Sequence, residues 1–267
     1  MMIRCLDEHW IGDILAYIGE DYKTAFYPYI NLSHYGLKNP HVKVWADEKD
    51  GRLQGIYLQY YDCLHFFTKE HDAYPCRGFL DMLAAQAPRV IMAQQEFGQR
   101  IHELICDRYR VQKSYIVDLQ IAQRGQIDER VELANRDDLA GIAELMLADT
   151  IYHDVYEKST LIAQLTERYE EGFSRFFVIK MDGKIVAVYS TYGECKKVAI
   201  VSGLLVHPEY RRKGLASAIV KHAHAVLGRE GMDGISLLDY ENTATLEFHR
   251  ELGVNWISSL YKFVRIG

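Results

Sequence analysis

The chain has 267 residues, nearly half of them hydrophobic and a quarter charged, with a formal net charge of −6. That is enough apolar material for one large domain or two ordinary ones, and no apolar run reaches the ~20 residues of a membrane helix. The acidic balance argues against nucleic acid as the main partner and is compatible with a cationic substrate. Cys5, Cys63, Cys76, Cys106 and Cys195 are odd in number and scattered, with no Cys-x-x-Cys pair, which fits reduced thiols in a cytoplasm and no structural zinc. The start, Met1 to His9, lacks a signal-peptide core.

From about His9 to Tyr35 the apolar residues Trp10, Ile14, Tyr17, Ile18, Tyr22, Phe26 and Tyr29 fall at helical spacing, with Pro28 and Gly36 as punctuation. One helix or two short ones are expected. Val42–Ala46 reads as a strand, Asp50-Gly51 as a hairpin turn, and Leu53–Phe67 as one long strand or two. Arg89–Ala93 reads as a strand, Glu96–Tyr109 as a helix and Val111–Leu119 as a further strand. Gln120–Glu129 is polar, contains Gly125 and is the candidate linker.

The second half repeats this plan. Val131–Leu133 is a short strand, Asn135 caps a helix running through Leu147, and Ser159–Glu170 is a second helix. Phe176–Lys180 and Ile185–Tyr192 form a hairpin about Asp182-Gly183. The β-branched run Val198–Val206 reads as a buried strand that His207-Pro208 ends. The basic turn Arg211-Arg212-Lys213-Gly214-Leu215-Ala216 follows, then a helix with Leu215, Ile219, His222 and Val226 on one face. Ile235–Asp239 is a strand, Asn242–Leu252 a helix closed by Gly253, and Trp256–Val264 a final strand. A strand, a basic glycine turn and a helix present backbone N–H groups and a helix N-terminus to a phosphate.

Arg211-x-x-Gly214-x-Ala216 has the form Arg/Gln-x-x-Gly-x-Gly/Ala, and Val206-His-Pro208-Glu-Tyr-Arg211 the form Val-x-Pro-x-x-Arg just ahead of it. With strand, proline and helix in register, this stretch resembles the signature of the GNAT superfamily of N-acetyltransferases. The resemblance implies an α/β (α+β) fold with a mixed central sheet flanked by helices, and acetyl-CoA as acyl donor. The halves themselves look like divergent copies, each with an Asp-Gly hairpin, a strand, a helix and a strand. Gly51 to Val90 spans 39 positions, whereas Gly183 to Ile235 spans 52. The first half is therefore about thirteen residues short where the second carries its basic turn. Its nearest counterpart, Pro75-Cys-Arg-Gly-Phe-Leu80, has no basic cluster. The expected organisation is two tandem GNAT-like domains, a degenerate one over 1–122 and a catalytic one over 129–267.

The resemblance carries roles onto particular residues. The N–H groups of Arg212, Lys213, Gly214, Leu215 and Ala216 would cradle the diphosphate, with Arg211 either binding or bracing the loop. The edge of Leu204-Leu205-Val206 would pair with the pantetheine amides, and an N–H near Leu204 would face the thioester oxygen. Asn242 stands where relatives use an Asn against the pantetheine arm. The family's usual tyrosine acid is replaced by His249, whose ordinary pKa suits neutral pH, while Tyr240 lies nearby in sequence. Glu194 is the candidate base, with Glu209 expected in solvent beside the loop. Tyr152, His153 and Tyr156, around Asp154, are candidate substrate contacts. No metal constellation is present: the eleven histidines form no His-x-x-x-His with an acidic partner, and His222 and His224 diverge on a helix.

The expected function is direct transfer of an acetyl group from acetyl-CoA to the primary amine of a small molecule, by a cytoplasmic monomer or homodimer without nucleic-acid or membrane partners. Acetylation of a protein lysine or N-terminus, and acyl-CoA binding without turnover, are the alternatives.

Overall fold

Two Asp-Gly pairs set the pattern of the fold. Asp50 (φ 52°) and Gly51 (φ 75°) have the same backbone as Asp182 (φ 51°) and Gly183 (φ 75°), the left-handed pair of a two-residue hairpin whose twist suits its strands. In the computed structural model, which describes residues 2–70, 77–121, 125–148 and 157–266, each turn opens a sheet flanked by helices. By their contacts the residues form two units, 1–118 with 237–267, and 119–236. These units do not follow the tandem division read from the sequence, because the last strand takes its partners in the first unit.

In the first unit, strands β1 (Met2–Cys5), β2 (Val42–Lys49), β3 (Arg52–Tyr60) and β4 (Cys63–Phe67) pair antiparallel in that order. β4 then pairs in parallel with β5 (Val90–Gln94). The final strand β12 (Asn255–Arg265) lies antiparallel between β5 and β6 (Tyr109–Asp118). Helices α1 (Ile11–Ile18) and α2 (Phe26–Tyr35) fill the opening segment, broken at Gly19 by its positive φ. Strand β1 and helix α3 (Arg77–Gln86) lie where the sequence pattern gave no element, and α4 (Gln95–Ile105) ends before Tyr109, which joins β6. The core is aromatic: Phe66 stacks on Phe97 at 3.6 Å, and Tyr57, Phe79 and Phe263 complete it. Removing one such ring costs about 3–5 kcal/mol.

The second unit holds β7 (Val131–Leu133), β8 (Phe176–Met181), β9 (Lys184–Glu194) and β10 (Val198–Val206), antiparallel in order, and the first part of β11 (Asp233–Asp239), where residues 233–235 run parallel to β10. Asn135 and Asp138 form a capping box, leading into α5 (Leu139–Leu147). Helices α5 and α6 (Lys158–Glu170) bury Ile142, Leu145, Leu161 and Leu165 against Phe176 and Val188. Helix α7 (Leu215–Arg229) buries Leu215, Ile219, Val220, Ala223 and Leu227. The stripe thus runs through Ala223 and Leu227 rather than the expected His222 and Val226. His222 is drawn aside instead, its Nδ1 lying 2.9 Å from the Asp128 carbonyl. The described part of the expected linker is likewise bound to α7, with Gln126 N donating to Lys221 O. Gly125 lies so close that a Cβ there would fall 2.2 Å from Ala225 Cα.

Candidate active site

Strand β10 is held by two ladders that end at different places. With β11 the register runs only from Val198–Asp233 to Ile200–Ile235. Past Ile200, the β11-facing edge of β10 takes no ladder partner among the described residues. With β9 the register slips between Ile200 and Val201, and again between Ser202 and Leu205. Gly203 occupies the second slip at φ 70°, and neither it nor Leu204 has an opposing residue on β9. This is a β-bulge, and a glycine inside a strand run is its sequence signal. Bulge and unpaired edge together leave Leu204 and Val206 able to bond a ligand's amide groups, while the Leu205 side chain packs into the core under α5.

Beyond Val206, His207–Tyr210 make a tight turn in which the His207 N–H donates to Val186 O. Arg211 is extended and its Nε donates to the Val206 carbonyl at 3.0 Å. It therefore braces the turn. Arg212 (φ 59°) and Gly214 (φ 75°) are both left-handed and flank Lys213, so successive N–H groups converge in a concavity suited to an anion. Lys213 Nζ lies 4.7 Å from the centre of the Tyr210 ring. Gly214 is the N-cap of α7 and no side chain caps the helix there. Its first turn thus presents orphan N–H groups and the positive end of the helix dipole. Residues 211–214 are exposed. A diphosphate fits this arrangement.

Against the bulge lies a cavity of 130 Å³. Ser202 and Gly203 form one wall, Ser190, Thr191 and Tyr192 of β9 another, and Gln164 and Arg168 of α6 a third. Met146, Leu161, Leu165 and Phe176 supply its apolar surface. The Ser190 hydroxyl donates to Ser202 O at 3.1 Å, tying the bulge to β9. The Thr191 hydroxyl, fully buried, accepts from Arg175 N at 2.7 Å. The Arg168 guanidinium lies 3.9 Å over the Tyr192 ring and donates to its hydroxyl at 2.9 Å. The sequence reading singled out none of these cavity residues. Only Gly203, an isolated glycine in an apolar strand, carried a signal that could have found them.

Glu194 is not brought to this place. It pairs in register with Ala199, five residues before Leu204 along β10, on the order of 16 Å at about 3.3 Å per residue. It is also engaged: Arg175 Nε lies 2.9 Å from one carboxylate oxygen, and the same guanidinium reaches Glu230 at 2.8 Å. Burial raises its carboxyl pKa while Arg175 pulls the other way. Glu194 is a structural ion-pair member, not a base facing Leu204. Glu209 is exposed beside the turn.

Asn242 is the N-cap of α8 (Thr243–Leu252) and His249 lies on that helix, which by its contacts groups with the first unit. The Asn242 Oδ1 accepts from Thr245 N at 3.0 Å and so caps α8. His249 is 6% exposed, its Nδ1 lies 2.8 Å from the Thr245 carbonyl, and burial lowers its pKa. A neutral ring whose Nδ1–H donates to a carbonyl leaves a lone pair on Nε2. That form accepts a proton; it does not supply one to a thiolate. Tyr240 is stacked on Tyr115 at 3.9 Å and hydrogen-bonded to Ser259. Tyr152, His153 and Tyr156 lie outside the described residues. Among the described residues no cluster of His, Cys, Asp or Glu could hold a metal, and no helix is long and apolar enough to cross a membrane.

The geometry has counterparts among known proteins. The sequence pattern of the Acetyltransferase (GNAT) family matches residues 141–254. A solved Drosophila protein is 12% identical, with 99% of this chain and 98% of that one covered and a TM-score of 0.69. The tandem GNAT protein from the clavulanic acid biosynthesis pathway is 13% identical, with 99% of each chain covered and a TM-score of 0.61. A GCN5-related N-acetyltransferase from Sphaerobacter thermophilus is also 13% identical, covering 100% of this chain and 96% of its own, at 0.60. No curated protein matches the chain in sequence. The fold is the one seen in a tandem GNAT protein. Residues 141–254 match the pattern of the GNAT acetyltransferase family, whose fold serves acyl transfer with acetyl-CoA as co-substrate.

Proposed function

We propose that the protein is an acetyl-CoA-dependent N-acetyltransferase acting on the primary amine of a small molecule. The observation that carries this reading is the continuity of three features on one strand: the bulge at Gly203, the unpaired edge to Val206, and the left-handed turn into α7. The turn binds the diphosphate through the N–H groups of Arg212 to Ala216, with Arg211 bracing it. The edge of Leu204 and Val206 aligns the pantetheine amides, and the N–H at the bulge donates to the thioester oxygen as negative charge grows there. Acetyl-CoA supplies the acetyl group; in balance, a nitrogen–carbon bond forms, the carbon–sulfur bond breaks, and one proton leaves the amine while one reaches the sulfur. The cavity beside Ser202 and Gly203 holds the amine in reach of that point, so that proximity supplies much of the acceleration. No carboxylate lines the cavity among the described residues, and the amine's proton passes to water. The small cavity favours a small molecule over a polypeptide lysine.

A second reading is supported by His249. Neutral and bound to a carbonyl, it offers no proton to a departing thiolate, as expected of a protein that binds acyl-CoA without turnover. Thiol release from acetyl-CoA across a panel of primary amines separates the two. Turnover with any amine, abolished by Gly214→Val, supports the enzyme. Tight acetyl-CoA binding by calorimetry with no thiol release from any amine replaces it with the sensor.

A further inference from the structure

The polar side chains around the cavity at the bulge divide into those already engaged and those left open. The Ser174 hydroxyl donates to Tyr192 O at 2.9 Å and the Ser190 hydroxyl to Ser202 O at 3.1 Å. The Thr191 hydroxyl accepts from Arg175 N at 2.7 Å, and the Tyr192 hydroxyl accepts from Arg168 at 2.9 Å. The two other polar side chains of the lining, Ser202 and Gln164, make no side-chain hydrogen bond to any described residue. Both are half-buried. Ser202 stands opposite Ser190, and Ser190 opposite Phe176, and residues directly opposite across strands share a face of the sheet. On that face Phe176 packs with Leu161 and Leu165 of α6. The Ser202 hydroxyl is thus directed at α6, one residue before the bulge. Gln164 follows Leu161 at i+3 on the same helix, so the two side chains are neighbours on its surface. A half-buried polar group without a protein partner bonds water in the empty cavity, and an acceptor that displaces this water must replace its bonds.

We infer that Ser202 and Gln164 position the acceptor: the Ser202 hydroxyl accepts a hydrogen bond from the attacking nitrogen, and the Gln164 amide binds a neutral hydroxyl elsewhere on the same molecule, as in an amino alcohol. A side-chain amide is uncharged and both donates and accepts. A hydroxyl uses both functions, a carboxylate only the donor and a second ammonium only the acceptor. Seated next to Gly203, Ser202 holds the nitrogen beside the point where the thioester lies, and the proton it loses still passes to water. The volume of 130 Å³, about four times a water molecule's share of the liquid, suits a chain of a few carbons. Leu161, Leu165 and Phe176 give that chain an apolar wall. This inference rests on the acetyl-transfer reading.

The test compares primary amines of equal length that end in a hydroxyl, a methyl or a carboxylate. With acetyl-CoA and the intact protein, the hydroxyl member is expected to show a kcat/KM about 10- to 100-fold above the methyl member, the range set by one hydrogen-bonding group left unpaired. Gln164→Met should bring the two within about twofold of each other by raising the KM of the hydroxyl member, and Gln164→Asn should restore part of the difference. Ser202→Ala should lower kcat about tenfold for every amine, as expected of a lost orienting contact, and Ser202→Thr should recover part of it. Equal rates across the set, a preference for the carboxylate member, a hydroxyl preference unchanged in Gln164→Met, or an unchanged kcat in Ser202→Ala would overturn the inference while leaving acetyl transfer standing. If no amine is turned over, acetyl transfer itself fails, and calorimetric titration of the same amines into protein saturated with CoA decides the site. Hydroxyl-selective binding lost in Gln164→Met upholds the positioning role, and its absence ends it.

Discussion

Strand pairs β4–β5 and β10–β11 begin from the same plan, a parallel pair following an Asp-Gly hairpin, and end as opposites. β4 stays in register with β5 from Cys63–Val90 through Phe66–Ala93, and its side chains go into the core. His65 is buried there against Tyr27 at 4.3 Å, and Phe66 stacks on Phe97. β10 leaves β11 after three residue pairs and bulges at Gly203. It also continues into a turn and a helix of 15 residues, where the helix after β4 has 10. A closed ladder spends its backbone groups on its neighbours and has none to give a ligand. An open one leaves those groups to water or to a ligand. The candidate site lies where the ladder is incomplete.

The closed pair can be tested through acid stability. Burial lowers the His65 pKa from 6.5 to about 3, and its Nδ1 finds no hydrogen-bond partner among the described residues. Folding therefore favours the neutral ring. The stability this confers is complete above pH 6.5 and is lost as the pH falls toward 3, amounting to about 3 kcal/mol between pH 6.5 and 4. Urea denaturation across that range should show the loss in the intact protein and a much flatter profile in His65→Phe. An equal slope in both would place the acid sensitivity elsewhere.

The open pair should break at its turn. Gly214→Val places a β-branched residue at φ 75°, a strain of about 1–3 kcal/mol that the turn relieves by abandoning its left-handed form. Acetyl-CoA affinity measured by calorimetry should fall about 100-fold, close to 2.7 kcal/mol. The melting temperature should shift only a few degrees, because a Cβ there meets open space. At the bulge the effect should be smaller. Gly203→Val, also at positive φ, should lower kcat/KM about tenfold as Leu204 is pulled back toward β9, with the diphosphate turn intact. Glu194→Gln should do least: about 1–2 kcal/mol of stability from a partly buried ion pair, and kcat/KM within twofold. A hundredfold loss of activity on that change would mean that Glu194 reaches the reacting amine.

Much of this was legible in the residue order. Both Asp-Gly turns, the strand–turn–helix from Val198 to Arg229, the Asn135 cap and the hairpin β8–β9 follow from periodicity and turn chemistry over neighbouring positions. Strand β1 and helix α3 were not visible, since Met2–Cys5 gains its strand character from β2 and Arg77–Gln86 lacks a clear apolar period. The site was legible only in part. The basic turn announced itself, but Arg168, Gln164 and Ser190 come from a helix and a strand far apart in sequence, and nothing local marks them.

By itself, then, the sequence determined that a basic left-handed turn leading into a helix lies between Val206 and Ala216, because glycine, proline and arginine at fixed spacing dictate backbone dihedrals one residue at a time. Tertiary structure decided what each charged or titratable side chain is for. Glu194 is held by Arg175, which it shares with Glu230, burial favours the neutral form of His249, and Arg168 is stacked on Tyr192. Those outcomes depend on desolvation and on partners brought together across the fold, and neither is written at any single position of the chain.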